Sequence, residues 1–255
     1  MAAVKEQLMD LGRRVIPSRM RPCGYLCHLT MHRSGGRVMK GPFTSMRYIG
    51  RSTGSAMIPK ILGAYERELH SAVEAAIGWN PDLIVDAGAA EGYYAVGLAI
   101  RLPGVRVIGY EMDASGREML SQMAQLNGVQ DQLAICAKCE PPNLQGDLAA
   151  AARPLVVCDV EGYEKVLLDP ASVPALRKAA ILVEAHEFID RGITKRLEGR
   201  FAATHTVETV WQTSRSRSEF PWRTPYIRCL PASYLDWALS EWRPETMCWL
   251  WMQPK

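Results

Sequence analysis

The residues best suited to bind a ligand lie in one short stretch, residues 83–92, which reads Leu-Ile-Val-Asp-Ala-Gly-Ala-Ala-Glu-Gly. Its first three residues form an apolar run typical of a parallel strand that is buried on both faces. Gly88 and Gly92 then leave the backbone bare at the carboxyl end of that strand, and the helix predicted to follow has free N–H groups at its start. Open α/β sheets bind ligands at such strand ends, so the stretch predicts a ligand-binding turn.

Ionisable side chains follow two later apolar runs, and their types suit proton transfer. Asp159 and Glu161 follow the fourth apolar run, residues 154–158, and Glu184 and His186 lie at the end of the fifth, residues 181–187. Adjacent parallel strands lie about 4.8 Å apart, so side chains at their carboxyl ends can converge on one atom. His186 could then take a proton from a hydroxyl group, with Asp159 or Glu184 fixing its tautomer. Alternatively, Asp159 and His186, with Glu161 or Glu184, could hold a divalent metal, or His186 could only satisfy a backbone group.

The spacing of the glycines separates two cofactor classes. The dinucleotide fingerprint G-x-G-x-x-G is absent, because Gly88 has no glycine two residues before or after it. The chain has Asp86-x-Gly88-x-x-x-Gly92, and Glu111 ends the next apolar run, close to the separation of about 20 residues expected for a carboxylate that binds ribose hydroxyls. This pattern resembles motif I of the class I S-adenosylmethionine (SAM) methyltransferases. The resemblance implies that SAM is bound by Asp86, Gly88, Ala89, Glu91, Gly92, Tyr93, Glu111, Met112 and Ala137.

A more specific resemblance covers about residues 80–190. The turn Asp159-Val-Glu-Gly-x-Glu164, combined with Gly88-Ala-x-x-Gly-Tyr93 and with Val-Glu-Ala-His186, is similar to the FkbM-type methyltransferases, a class I family dominated by O-methylation. It implies SAM-dependent methylation of a hydroxyl group on a small-molecule, sugar or natural-product acceptor. Asp159, Glu161, Glu184 and His186 are then the catalytic candidates. Ala90 departs from the family pattern, which often has asparagine at this position.

Other methyl acceptors fit the sequence less well. Amino methyltransferases place an Asn/Asp-Pro-Pro-aromatic motif after the fourth strand, whereas Glu140-Pro-Pro-Asn143 lies one strand too early. A cysteine nucleophile for carbon methylation would have to be Cys158, which lies inside a strand run and has no preceding proline. Two alternatives stay open, an RNA methyltransferase and a non-catalytic module that binds SAM or a nucleotide.

The RNA alternative depends on an uneven charge distribution. The formal net charge is +3, but residues 1–60 contain eleven Lys and Arg residues against Glu6 and Asp10, a local balance of +9. Such a flank could attract an anionic partner, or it could simply be a solvated surface.

The elements that must position these residues predict the fold. Seven apolar runs alternate with helical patterns and indicate a doubly wound, Rossmann-like α/β sheet of the class I methyltransferase type. We expect residues 1–79 to form a basic, helical or irregular cap and residues 80–255 to form the SAM-binding methyltransferase domain. Within the cap, a helix is predicted over residues 4–15, a hairpin through Val38 and Tyr48, and a long helix from Pro59 to Gly78.

The chain has no sequence feature of export. It has no run of about 18 apolar residues and no apolar signal-peptide core at its start, so a cytoplasmic protein without a membrane span is expected. Its seven cysteines are scattered and odd in number, which favours free thiols. The spacing Cys23-x-x-x-Cys27-His28-x-x-x-His32 does not match that of a zinc finger.

Overall fold

The protein is built around a mixed β-sheet. The computed structural model describes residues 17–53 and 56–255. The strands in this part of the chain are β1 (Leu83–Ala87), β2 (Arg106–Tyr110), β3 (Leu133–Cys136), β4 (Pro154–Cys158), β5 (Ala180–Ala185), β6 (His205–Trp211) and β7 (Cys248–Pro254). These seven strands follow the order β3-β2-β1-β4-β5-β7-β6 in the sheet. The first five pair in parallel, while β7 runs antiparallel between β5 and β6. The doubly wound sheet predicted from the sequence is confirmed.

Helices cover both faces of the sheet. One hydrophobic layer contains Ile84 of β1, and the opposite layer contains Val85. Both faces are therefore dry, and all five residues of β1 are buried, as its apolar sequence predicts. The described α-helices are α1 (Pro22–Ser34), α2 (Met57–Leu62), α3 (His70–Gly78), α4 (Tyr93–Arg101), α5 (Ala114–Asn127), α6 (Pro141–Ala149), α7 (Glu164–Leu167), α8 (Ile193–Phe201), α9 (Pro225–Cys229) and α10 (Ser233–Leu239).

The long helix predicted from Pro59 to Gly78 is wrong, because the chain breaks it into α2, a 3₁₀ turn at Arg67–Leu69 and α3. Gly63 ends α2 with φ +68°, and a Cβ atom there would overlap the carbonyl group of Lys40. Glu66, whose helical position suggests an exposed side chain, is only 2 % exposed and has φ +44°. Its carboxylate contacts Arg243 and Tyr94, so tertiary ion pairing overrides the local helical pattern.

The described part of the N-terminal segment packs against a later part of the chain. Leu26 and Leu29 of α1 share a third hydrophobic cluster with Phe220, Ile227 and Leu239. Residues from the N-terminal segment and from the connection between β6 and β7 therefore form one packed unit. The helix predicted over residues 4–15 lies outside the described residues.

The hairpin predicted through Val38 and Tyr48 is reduced to one bridge. Arg37 and Arg47 form a single antiparallel bridge, flanked by the hydrogen bond from the Tyr48 N–H to the Gly36 carbonyl oxygen. All seven cysteines are free, as expected. Across residues 17–53 and 56–255, none of the helices is both long and apolar enough to cross a membrane.

Candidate active site

A cavity of about 280 Å³ opens at the carboxyl ends of the central strands. β1 is flanked by β2 on one side and by β4 on the other, so the strand order reverses there. Open α/β sheets bind ligands at such a switch point. The cavity is lined by Thr53, Lys60, Tyr65, Asp86, Gly88, Ala89, Ala90, Tyr93, Tyr94, Glu111, Asp159, Glu161, Glu184, His186, Phe188, Glu241, Trp242, Arg243, Pro244 and Met247.

The glycine turn after β1 is locked between the ends of its two neighbouring strands. The backbone N–H groups of Gly88 and Ala89 both donate to the carbonyl oxygen of Tyr110, each at 2.9 Å. Gly88 has φ +88°, and a Cβ atom there would overlap the carbonyl oxygen of Asp159. Glycine is therefore required at this position both by backbone conformation and by the close approach of the chain after β4.

Ala90, in the same turn, has the left-handed backbone conformation, with φ +47°. This conformation is costly for alanine and is better tolerated by asparagine or glycine.

We expect Ala90→Gly to raise the free energy of unfolding by about 1 kcal/mol, because it removes this strain. Ala95→Gly, in the interior of α4, is the matched control and should lower it by at least about 0.5–1 kcal/mol. Urea unfolding of both variants measures the difference. A destabilised Ala90→Gly protein would show that the turn does not hold alanine under strain.

Glu111 is fixed at the end of β2 by two backbone groups. Its carboxylate accepts hydrogen bonds from the N–H of Ala90 at 2.9 Å and from the N–H of Asp113 at 2.7 Å. Gly116 leaves room for it, because a Cβ atom there would lie 2.7 Å from the Glu111 Cγ. The carboxylate is thus held in one position at the cavity wall, where it can accept further hydrogen bonds from a ligand.

Asp86 brings an unpaired carboxylate oxygen to the same wall. The residue is 2 % exposed, and its Oδ2 has no hydrogen-bond partner among the described residues. Burial, together with the nearby charge of Asp159, raises the pKa of Asp86 to about 7. An unpaired buried carboxylate is costly, and such groups cluster where a ligand supplies the missing partner.

The predicted cofactor-binding residues divide into two sets. Asp86, Gly88, Ala89, Tyr93 and Glu111 line the cavity, whereas Glu91, Gly92, Met112 and Ala137 do not. The Glu91 carboxylate lies behind the wall, where it contacts Lys60 and Tyr48 and accepts a bond from Ser52 at 2.7 Å. Burial opposes its ionisation, but these contacts outweigh burial and lower the pKa of Glu91. Its position indicates a structural role in anchoring Lys60.

The ionisable residues after β4 and β5 meet around one imidazole. His186 is 2 % exposed, and its Nε2 lies 3.4 Å from both Asp159 Oδ1 and Glu161 Oε2. Its Nδ1 contacts the Oε1 of Glu164, a buried residue that begins α7. Burial lowers the pKa of His186, but contacts with Glu164, Asp159 and Glu161 outweigh burial and raise the pKa above its usual value.

The sequence predicts that Asp159 or Glu184 fixes the tautomer of His186, but the residue in that position is Glu164. Glu164 contacts Nδ1, whereas Asp159 lies beside Nε2 and Glu184 is paired elsewhere. One sequence feature points to Glu164 as this partner: it ends the same short acidic turn, residues 159–164, that begins with Asp159. Burial raises the pKa of Asp159 to about 7, although the charge of His186 opposes this.

Glu184 lies beside Asp159 and His186 and belongs to a buried ion network at the cavity wall. Arg243 contacts Glu184, Glu66 and Glu241, and Arg215 contacts Glu241. Burial and the neighbouring Glu66 raise the pKa of Glu241 to about 7. Sequence reasoning missed this network, because its members come from distant parts of the chain.

Three of the predicted residues meet the distance requirement for one metal ion. Ligand atoms of Asp159, Glu184 and His186 lie within 4.8 Å of one another, the only such group in the described parts of the chain. However, Arg243 already pairs with Glu184, and the carboxylates around His186 favour its protonated form. A metal would need both groups to change partners, so the donor set fits an ion poorly.

No protein-family model and no curated protein sequence matches this chain. Among solved structures, it is similar to the O-methyltransferase TomG from Streptomyces achromogenes, which is involved in tomaymycin synthesis and was crystallised with SAM. The two share 11 % identity over 96 % of this chain and 95 % of that one, with a TM-score of 0.48. An O-methyltransferase from Bacillus cereus in complex with SAH gives 14 % identity over 80 % of this chain and 89 % of that one, with a TM-score of 0.45.

A third similar structure is that of an enzyme that methylates tRNA. The tRNA methyltransferase TrmK from B. subtilis gives 9 % identity over 72 % of this chain and 65 % of that one, with a TM-score of 0.44. At these identities and scores the likeness concerns the fold alone, and the sheet order already defines that fold.

Proposed function

We propose that this protein is a SAM-dependent methyltransferase that methylates a hydroxyl group. The observation that carries the proposal is the unpaired, buried carboxylate of Asp86 beside the fixed carboxylate of Glu111. SAM has a cationic sulfonium and an ammonium group, which such a wall attracts. NAD has an anionic pyrophosphate instead, and the carboxylates would repel it.

The cavity residues fit SAM in specific ways. Asp86 offers its free Oδ2 to the ammonium group, and Glu111 offers its carboxylate to the ribose hydroxyls. When bound, SAM supplies an electrophilic methyl group on a positively charged sulfur. The protein aligns the acceptor oxygen with that group and excludes water, an effect that can contribute about 7–11 kcal/mol to the barrier reduction.

His186 is the proposed general base of the reaction. Its Nε2 faces the cavity beside Asp159 and takes the hydroxyl proton as the acceptor oxygen is methylated. Glu164 accepts the Nδ1–H, so the lone pair of the neutral ring is on Nε2. The resemblance to the FkbM-type family supports oxygen as the methylated atom and remains a prediction. The pairing of Arg243 with Glu184 supports the metal-free form of this mechanism.

Calorimetry with SAM, SAH and NAD tests the cofactor assignment. We expect SAM and SAH to bind and NAD not to bind. Glu111→Ala should weaken SAH binding by about 10- to 140-fold, the equivalent of about 1.5–3 kcal/mol for hydrogen bonds to a charged group. Glu208→Ala, an exposed change on β6, is the control and should leave the affinity unchanged. Binding of NAD with none of SAM or SAH would refute the assignment.

A further inference from the structure

The part of the cavity beyond Asp159 would receive the acceptor. In the proposed function, SAM occupies the side formed by β1 and β2, which leaves the ends of β4 and β5 and residues 241–247 to the second substrate. We call this part the acceptor half. The charges and rings of this half restrict what the acceptor can be.

Negative charge is in excess around the whole cavity. Among the described residues, its wall has six carboxylates, from Asp86, Glu111, Asp159, Glu161, Glu184 and Glu241. Three of them present a buried oxygen without a hydrogen-bond partner among the described residues, Oδ2 of Asp86, Oδ1 of Asp159 and Oε1 of Glu184, and Arg243 lies against the last of these. The side chain of Glu161 is 72 % exposed at the mouth, where it is accessible to a ligand.

The cationic groups of the wall are already paired. Lys60 contacts Glu91, and Arg243 contacts three carboxylates, those of Glu66, Glu184 and Glu241. His186 lies among three further carboxylates. A phosphate or carboxylate on the acceptor would therefore find no uncommitted cation on the described wall and would face several negative charges.

Exposed aromatic rings flank the acceptor half. Phe188 lies edge-on to the imidazole of His186, with ring centroids 5.8 Å apart. Trp242 is 55 % exposed and has φ +57°, an unusual conformation for a bulky side chain. Its neighbours Glu241 and Arg243 are fixed in the buried ion network, so they hold the indole at the cavity mouth. Flat exposed rings of this kind pack against ring compounds and attract cations.

We infer that the acceptor is a hydroxylated ring compound that carries a protonated amine. Its ring packs against Phe188 and Trp242, its ammonium group is bound by Glu161, and its hydroxyl lies at Nε2 of His186. The inference rests on the proposed function, because it assigns the other side of the cavity to SAM. The ring could be aromatic or that of an amino sugar, and both have the same recognisable chemistry.

Calorimetry on the SAH-loaded protein at pH 7.5 tests the inference with charge-matched probes. Tyramine is compared with 4-hydroxyphenylacetate, and glucosamine with glucose 6-phosphate. We expect at least one amine to bind ten times more tightly than its anionic counterpart, and the pair that shows this identifies the kind of ring. Glu161→Gln should abolish the preference, whereas the control Glu208→Gln should retain it.

A second pair of variants tests the ring contact. Trp242→Ala should weaken binding of the preferred amine at least tenfold, while Trp211→Ala, also 55 % exposed but outside the cavity wall, should not. Equal or tighter binding of the anionic probes, or no binding of either amine, would overturn the inference and leave the cofactor assignment intact. Failure of SAH itself to bind would refute the proposed function and this inference with it.

Discussion

Replacing Asp86 with asparagine should weaken SAM binding by about 10- to 140-fold and, at the same time, stabilise the ligand-free protein at alkaline pH. The carboxylate is buried and its Oδ2 is unpaired, so its charge is compensated only when a cationic ligand is present. Loss of a charged partner for the SAM ammonium group should cost about 1.5–3 kcal/mol of binding free energy. Asparagine keeps an oxygen that can accept the backbone N–H of Ala95.

The stability change has a definite pH dependence. The folded-state pKa of Asp86 is about 7, against an ordinary value of 3.8, so the folded protein binds this proton more tightly than the unfolded chain does. The stabilisation from that proton is complete below about pH 4 and is lost as the pH rises through 7. An asparagine side chain does not titrate, so the Asp86→Asn protein should already be more stable than wild type at pH 5.5, which lies above the ordinary pKa of 3.8, and its advantage should be larger at pH 8.5.

Thermal unfolding at the two pH values measures this difference. Removal of the uncompensated charge should raise the free energy of unfolding at pH 8.5 by about 1–3 kcal/mol. Each kcal/mol shifts Tm by about 2–4 °C in a protein of this size. Asp131→Asn, an exposed change just before β3, is the control and should affect neither Tm nor SAH affinity. An Asp86→Asn protein that binds SAH normally would show that this carboxylate does not bind the ligand.

The second large effect is expected at His186 and Glu164. His186→Ala should lower kcat by about 10²- to 10⁴-fold without changing the Kd for SAH, because it removes the proposed general base and no cofactor contact. In the wild type, the raised pKa of His186 should make kcat increase with pH, since only the neutral imidazole can accept a proton.

Glu164→Gln separates positioning from simple structural support. Glu164 is a positioning residue, and its charge is one of the causes of the raised pKa of His186. The variant should therefore move the midpoint of the kcat–pH profile to lower pH, in addition to lowering the maximum. A lower maximum with an unmoved midpoint would mean that Glu164 only maintains the local fold.

The same assays with EDTA distinguish the two catalytic versions. Activity that is unchanged by EDTA supports the metal-free base. Activity that EDTA removes and magnesium or manganese restores would instead assign Asp159, Glu184 and His186 to an ion, despite the pairing of Arg243 with Glu184.

The sequence predicts the framework of the site well, because the framework follows local rules. The apolar run before Asp86, the glycines that allow left-handed turns and the convergence of Asp159 with His186 at adjacent strand ends all have local or periodic signatures. The order of the parallel strands agrees with this interpretation.

The buried carboxylates could not be predicted in the same way. In the sequence, Glu66 looks like an ordinary surface residue and Glu91 like a cofactor ligand. The burial of both depends on Arg243 and Lys60, partners that are 177 and 31 residues away. Glu164 was not distinguished from its acidic neighbours, because the contact with His186 requires the geometry of two chain segments. A charged side chain can be buried only where a partner of opposite charge reaches it. The residues around the charge in the sequence do not show where along the chain that partner lies.

The position of β7 has a consequence for the order of assembly. It enters the sheet between β5 and β6, so both of those strands keep unpaired edges until residues 248–254 have been synthesised and inserted. The corner that holds Asp86 and Glu111 is formed by strands from the first half of the chain, whereas Arg243, which pairs with Glu184, lies just before the final strand. Contacts of such long sequence separation form slowly and leave strand edges open to pairing with other chains in the meantime. A nascent chain can therefore form the corner with Asp86 and Glu111 well before residues 241–247 complete the cavity wall. A ligand bound at that corner would stabilise the partly folded chain until β7 is inserted.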